Sequence, residues 1–138
     1  MARILAIDYG KKRTGLAVTD PLQLIATGLT TVATTELIPF LKKYIQQEEV
    51  ELIVLGDPRN LDGTATHGTA LAAECARALH KHFPQLPVER VDERYTSKMA
   101  AGALYASGLP RKKRRNKALL DETSATIMLQ EYLQGKQA

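Results

Sequence analysis

Acids stand at three places where this sequence otherwise calls for apolar core. Asp8 ends an apolar run, in phase with Ile4 and Ala6, in what reads as the first strand. An unpaired carboxylate buried at such a place costs several kcal/mol unless a cation or donors offset it. Asp92-Glu93-Arg94 follows a later apolar stretch directly, at a strand's carboxyl end, where sites form in α/β sheets. Asp121 shares the spacing i, i+3, i+4, i+7, i+11 with Ser124, Ala125, Met128 and Tyr132, one helix face. Each has a plainer reading. Asp8 can cap the Tyr9-Gly10 turn. The 92–94 triplet can be a self-neutralising surface cluster. Asp121 can be a helix-dipole acid. Taken together they put separated carboxylates on one side of a sheet, with no imidazole or hydroxyl constellation in competition. Carboxylates alone favour hard cations, Mg²⁺ or Mn²⁺, over zinc. Two such ions ~4 Å apart can activate a water and stabilise the leaving oxygen of a phosphodiester.

Other chemistries fit less well. His80 and His82 are two residues apart, so a helix sends them to different faces. Cys75 lies in an Ala-rich helical stretch and reads as packing. It is the one cysteine, which excludes an intramolecular disulfide and any zinc site needing two thiolates. Gly10 and Gly15 have a phosphate-loop spacing, but Leu16-Ala17 stand where that loop needs Lys-Ser/Thr, and a strand follows instead of a helix. Lys11, Lys12 and Arg13 in that turn remain candidates for a phosphate beside Asp8.

The elements that must position the acids follow from pattern. Residues 3–8 and 14–19 are short apolar runs around a polar glycine turn, which predicts a hairpin. Residues 23–32, rich in Thr, Ile, Leu and Val, predict a third strand. Leu37, Phe40, Leu41, Tyr44 and Ile45 give helical spacing within 36–49, with Pro39 tolerated early. Residues 51–55 form a buried strand, 56–66 a loop, 68–82 a helix with Leu71, Cys75 and Leu79 on one side, and 87–91 a fifth strand. A helix from Thr96 stops near Gly108, and a last helix runs from an Asn116 cap to about Gly135. This order predicts an α/β fold, a mixed five-stranded sheet with helices on both faces.

The 138 residues predict one domain, 1–138, and 44% hydrophobic and 25% charged residues are ordinary for a globular chain. The net charge of +4 is local. Arg111, Lys112, Lys113, Arg114, Arg115 and Lys117 supply more than the whole excess. An internal basic segment just ahead of Asp121 points to a polyanionic partner, with a solvated loop as the plainer reading. Phosphate contacts of this kind give sequence-independent, salt-dependent affinity. No apolar run approaches the ~18 residues of a membrane helix. Asp8 arrives too early for a signal peptide, so the expected compartment is the cytoplasm, with no membrane partner.

Four motifs carry a family resemblance. Residues 8–15 (DYGKKRTG) resemble the opening motif of the YqgF/RuvX group, small bacterial proteins with a ribonuclease H-like fold related to the RuvC resolvase. Residues 56–64 (GDPRNLDGT) resemble its G-x-P-x-N-x-D-G-T loop, 92–97 (DERYTS) its D-E-R-x-S/T segment, and 117–125 its K-x-x-x-D-x-x-A/S-A helix. The resemblance covers essentially the whole chain. It implies a ribonuclease H-like fold and metal-dependent cleavage of structured nucleic acid, with the 5′ end of precursor 16S rRNA as the substrate. It implies Asp8, Glu93 and Asp121 as catalytic, metal-binding acids for two Mg²⁺ or Mn²⁺ ions, with Asp92 as a helper. Lys11, Lys12, Arg13, Arg59, Asn60, Arg94 and the basic segment are the expected nucleic-acid contacts. Asp57 departs from the commonest form of the loop, where an apolar residue stands, and Asp121-Glu122 face differently on their helix, unlike the closely placed acids of RuvC-type resolvases. The implied partners are precursor rRNA or branched DNA and the small-subunit precursor, for a monomer or a homodimer. Junction resolution would ask for two sites and hence a symmetric dimer. Two further readings stay open: a catalytically weak RNA-binding assembly module, and an ATP-handling protein of the actin and sugar-kinase type, against which the chain's length speaks.

Overall fold

The computed structural model describes residues 2–57, 67–92 and 117–137. Among these, five strands form one sheet in the order β3-β2-β1-β4-β5. They are β1 (Arg3–Tyr9), β2 (Arg13–Thr19), β3 (Ala26–Ala33), β4 (Val50–Asp57) and β5 (Val88–Asp92). The hairpin strands β1 and β2 pair antiparallel, as do β2 and β3, while β1, β4 and β5 run parallel. The mixed sheet expected from the sequence is therefore present. The helices are α1 (Leu37–Gln47), entered through a short 3-10 turn at Thr34–Glu36, α2 (His67–His82) and α3 (Lys117–Gln137). The helix expected after Thr96 lies outside the described residues. None of the described helices is long and apolar enough to cross a membrane.

Side-chain size sets the two faces apart. One face carries Leu5, Ile7, Leu16, Val18, Ile53 and Leu55, covered by Leu37 and Leu41 of α1 and Cys75 and Leu79 of α2. The other carries Ile4, Ala6, Ala17, Ala26 and Val54, covered by Ala125, Met128, Leu129 and Leu133 of α3. Alternation sends successive strand residues to opposite faces. The alanines of β1 and β2, Ala6 and Ala17, thus fall under α3 beside Ile4 and Val54, and most of the large aliphatic side chains fall on the other side. Small residues under α3 let that helix close on the sheet.

Most boundaries differ from expectation by a residue or two, and two of the differences are informative. The third strand starts at Ala26 and not at residue 23. Asp20 Oδ1 accepts the backbone N–H groups of Leu24 and Ile25, both at 2.8 Å, and Gln23 has φ 59°. Those contacts close a turn, so Leu24 and Ile25 are exposed in spite of their apolar type. The same backbone donors, Ile25 first, hold the Asp20 carboxyl below its ordinary pKa. Asp57, expected at the start of a loop, is the last residue of β4.

Candidate functional site

The site begins at the carboxyl edge of the parallel strands. Asp8 is the next-to-last residue of β1, and Asp57 and Asp92 are the last residues of β4 and β5, register partners of each other. Asp8 pairs with Gly15 across the hairpin ladder. Directly opposed residues of an antiparallel pair share a face, so Asp8 is on the α3 side with Ile4 and Ala6.

Gly15 decides what comes next to it. A Cβ at that position would run into the main-chain carbonyl of Asp121 and approach the backbone nitrogen of Glu122 to 2.9 Å. The glycine in the strand therefore marks a close backbone approach. It sets the Asp121 turn of α3 against β2, one ladder position from Asp8. Two of the three acids are thus brought together. Glu93 lies outside the described residues. Glu122 departs from them, with its side chain lying over Gly28 of β3.

The turn between β1 and β2 supplies the positive charge. Lys11 and Lys12 are exposed there. Arg13 opens β2 on the same face as Gly15, and its Nε donates to Asp121 Oδ2 at 2.9 Å. The turn itself is clamped from the end of β3. Thr34 Oγ1 donates to the Gly10 carbonyl at 2.7 Å and lies 3.0 Å from Thr14 Oγ1, and the Thr34 N–H donates to the Lys12 carbonyl at 3.0 Å. Arg59, Asn60, Arg94, Arg111, Lys112, Lys113, Arg114 and Arg115 lie outside the described residues. Lys117 is the first residue of α3.

On the opposite face, Arg90 Nη2 donates to Asp57 Oδ1 at 3.0 Å. Asp57 belongs to an ion pair within the sheet and faces away from Asp8. The chemistry of Cys75 is also settled by its surroundings. Burial, aided by Glu74, pushes its thiol up to about 12. It is a packing residue with no thiolate to offer at neutral pH.

Sequence reasoning missed the Thr34 clamp, the Arg13–Asp121 pair and the Arg90–Asp57 pair. The one signal available for the site's geometry was Gly15, a glycine inside a strand pattern.

A family model described as RuvX, Holliday junction resolvase, matches residues 2–135. The chain belongs to the RuvX family. A Christiangramia forsetii protein named as a candidate pre-16S rRNA nuclease is 55% identical, over 96% of this chain and 98% of its own length. Proteins with the same name from Bacteroides thetaiotaomicron and Flavobacterium psychrophilum are 53% and 51% identical, each over 99% of both chains. Among solved structures, RuvC from Thermus thermophilus in complex with a Holliday junction substrate superposes with a TM-score of 0.57, covering 100% of this chain and 97% of that one at 14% identity. A second structure of that RuvC gives 0.55 at 15% identity, covering 98% and 96%. The fold of this RuvX member is thus the RuvC-type, ribonuclease H-like fold expected from its motifs.

Proposed function

We propose that this RuvX protein is a metal-dependent endonuclease that cuts structured RNA at the 5′ end of precursor 16S rRNA. The observation that carries the reading is Gly15, which stands opposite Asp8 on the ladder and under the main chain of Asp121. It brings two carboxylates from opposite ends of the chain to one edge of the sheet, beside a cationic turn. The names of the relatives support the choice of RNA.

The donors fit a hard cation. Asp8 and Asp121 offer oxygen ligands only, the set preferred by Mg²⁺ and Mn²⁺. Among the described residues no group of three His, Cys, Asp or Glu is assembled. On this reading Glu93, which follows the last residue of β5, is the third donor. Such ions supply charge stabilisation and water activation at a phosphodiester. The chain's own residues do the rest. Gly15 and the packing of α3 hold Asp121 at a fixed place. The Thr34 clamp holds the turn that carries Lys11, Lys12 and Arg13. These cations and the segment 111–117 bind the sugar-phosphate backbone without reading sequence.

The test is cleavage of a precursor 16S rRNA 5′ fragment and of a four-way DNA junction, each with Mn²⁺. The wild type is compared with Asp8→Asn, Glu93→Gln and Asp121→Asn. The reading expects cutting of the RNA and a loss of at least about a hundredfold in each variant, beyond the range seen for outer-shell partners. Wild-type rates in all three variants would sink the site assignment. Cutting of the junction alone would move the substrate to branched DNA.

A further inference from the structure

Arg13 is engaged with the same carboxylate that the proposed function gives to a cation. Its Nε donates to Asp121 Oδ2 at 2.9 Å, and the two side chains are 40% and 24% exposed. Neither charge is sealed from water, so either can change partner without leaving a buried ion behind. The backbone around Arg13 is held on two sides. Thr34 pins the Gly10 and Lys12 carbonyls, and β2 pairs with both β1 and β3. A Cβ on Gly10 would strike the Arg13 carbonyl, so the turn closes tightly onto this residue. The guanidinium is the part that can move.

We propose that Arg13 is the resident counter-ion of Asp121, which a divalent cation displaces, and that the released guanidinium turns to a phosphate of the bound strand. This rests on the metal-site reading above. Without an ion, the guanidinium offsets the charge of Asp121 and holds its carboxylate in place. When a dication arrives, keeping a guanidinium on the same carboxylate incurs like-charge repulsion. The planar fork of Arg suits phosphate as well as carboxylate oxygens. Exposed Lys11 and Lys12 precede it in the same turn, so the freed group joins an existing cationic surface. The exchange links the two ligands: metal favours nucleic-acid binding, and nucleic acid favours metal, by the same factor.

The experiment is Mn²⁺ affinity without nucleic acid, read from the paramagnetic resonance of the free ion. Wild type, Arg13→Gln, Arg13→Lys and Asp121→Asn are compared, with circular dichroism to check the fold. Removing an exposed ion pair predicts Mn²⁺ binding about two- to fivefold tighter in Arg13→Gln. Arg13→Lys keeps the charge but loses the fork, and falls between wild type and Arg13→Gln. Should Arg13→Gln fail to fold, that intermediate gain in Arg13→Lys is the test. Asp121→Asn loses most of the affinity. Equal or weaker binding in the Arg13 variants, with binding lost in Asp121→Asn, overturns the counter-ion and leaves the metal site standing. Undiminished binding in Asp121→Asn overturns the metal site and the counter-ion together. A second readout is the affinity for a short RNA strand with and without Ca²⁺. The gain on adding Ca²⁺ should shrink at least about twofold in Arg13→Gln relative to wild type; an unchanged gain overturns the transfer to phosphate.

Discussion

Asp121 rests its main chain on Gly15, at a spot where any side chain would collide with the helix. Because Gly15 is the ladder partner of Asp8, one missing Cβ controls how near the two acids lie. Gly15→Ala forces α3 off the sheet or β2 out of line. Overpacking of a well-filled interface costs about 1–3 kcal/mol, and backbone atoms yield less readily than side-chain ends. Urea denaturation should show a loss in that range or above it. The same variant should bind Mn²⁺ more weakly than wild type. A stable Gly15→Ala protein with undiminished Mn²⁺ affinity would show that the contact does not position Asp121.

The clamp on the cationic turn gives a second expectation. Thr34 Oγ1 serves both the Gly10 carbonyl and Thr14 Oγ1, and Thr14 is fully buried. Thr34→Val keeps the shape and removes the hydroxyl. The loss should be about 1 kcal/mol for the bonds removed, measured by urea denaturation. Thr34→Ser, which keeps the oxygen, should stay within about 0.5 kcal/mol of wild type. If Thr34→Val is as stable as wild type, the turn is held by its backbone bonds alone, the Thr34 N–H to the Lys12 carbonyl among them.

What was readable in the sequence divides along a physical line. Asp8 and Asp121 stood out because each interrupts an apolar period, and a period is a local property. Gly15 carries a local signal of the same kind, a glycine inside a strand pattern, but the sequence reading takes it only as part of a phosphate-loop spacing. The partners were not visible. Arg13 and Asp121 are 108 residues apart, Asp57 and Arg90 are 33 apart, and Thr34 is 24 residues from Gly10. Such pairs depend on strand order and helix placement, which no local pattern contains. The early start expected for the third strand failed for a related reason. Leu24 and Ile25 carry strand-like composition, but the Asp20 carboxylate captures their backbone donors first. A side chain competing with the ladder outweighs propensity there.

The Arg90–Asp57 pair invites a double-mutant cycle. Asp57 has a side chain only 12% exposed, against 36% for Arg90. Removing the cation therefore takes its counter-charge from the more buried partner. Arg90→Ala should destabilise more than Asp57→Ala, by about 1–2 kcal/mol against about 1 kcal/mol. The coupling between them should be near 1 kcal/mol after allowance for solvent at Arg90. Asp57→Leu should lose little stability when combined with Arg90→Leu, since replacing both partners of a buried pair by apolar groups is often neutral. A coupling within error of zero would show that the pair is ornamental.

Cys75 supplies the pH-dependent case. Its neighbours on the α1 and α2 side include the fully buried Leu79, Leu5 and Ile7, and burial lifts the thiol to about 12. In the unfolded chain the thiol ionises near its ordinary value of 9.0. Above that value the unfolded state sheds the proton while the folded state keeps it, so folding loses ground as pH rises. The contribution of this thiol to stability is therefore complete below about pH 8 and falls through the window from about 9 to 12. Cys75→Ala should lack this component of the alkaline decline, at the cost of a small cavity, and Cys75→Ser should not serve as a neutral control because it buries a hydroxyl. At pH 8 the native thiol should react with a disulfide reagent at least about a hundredfold more slowly than in urea-unfolded protein, since the thiolate is the nucleophile. Rapid labelling of the folded protein at pH 8 would place Cys75 within reach of water and refute its burial.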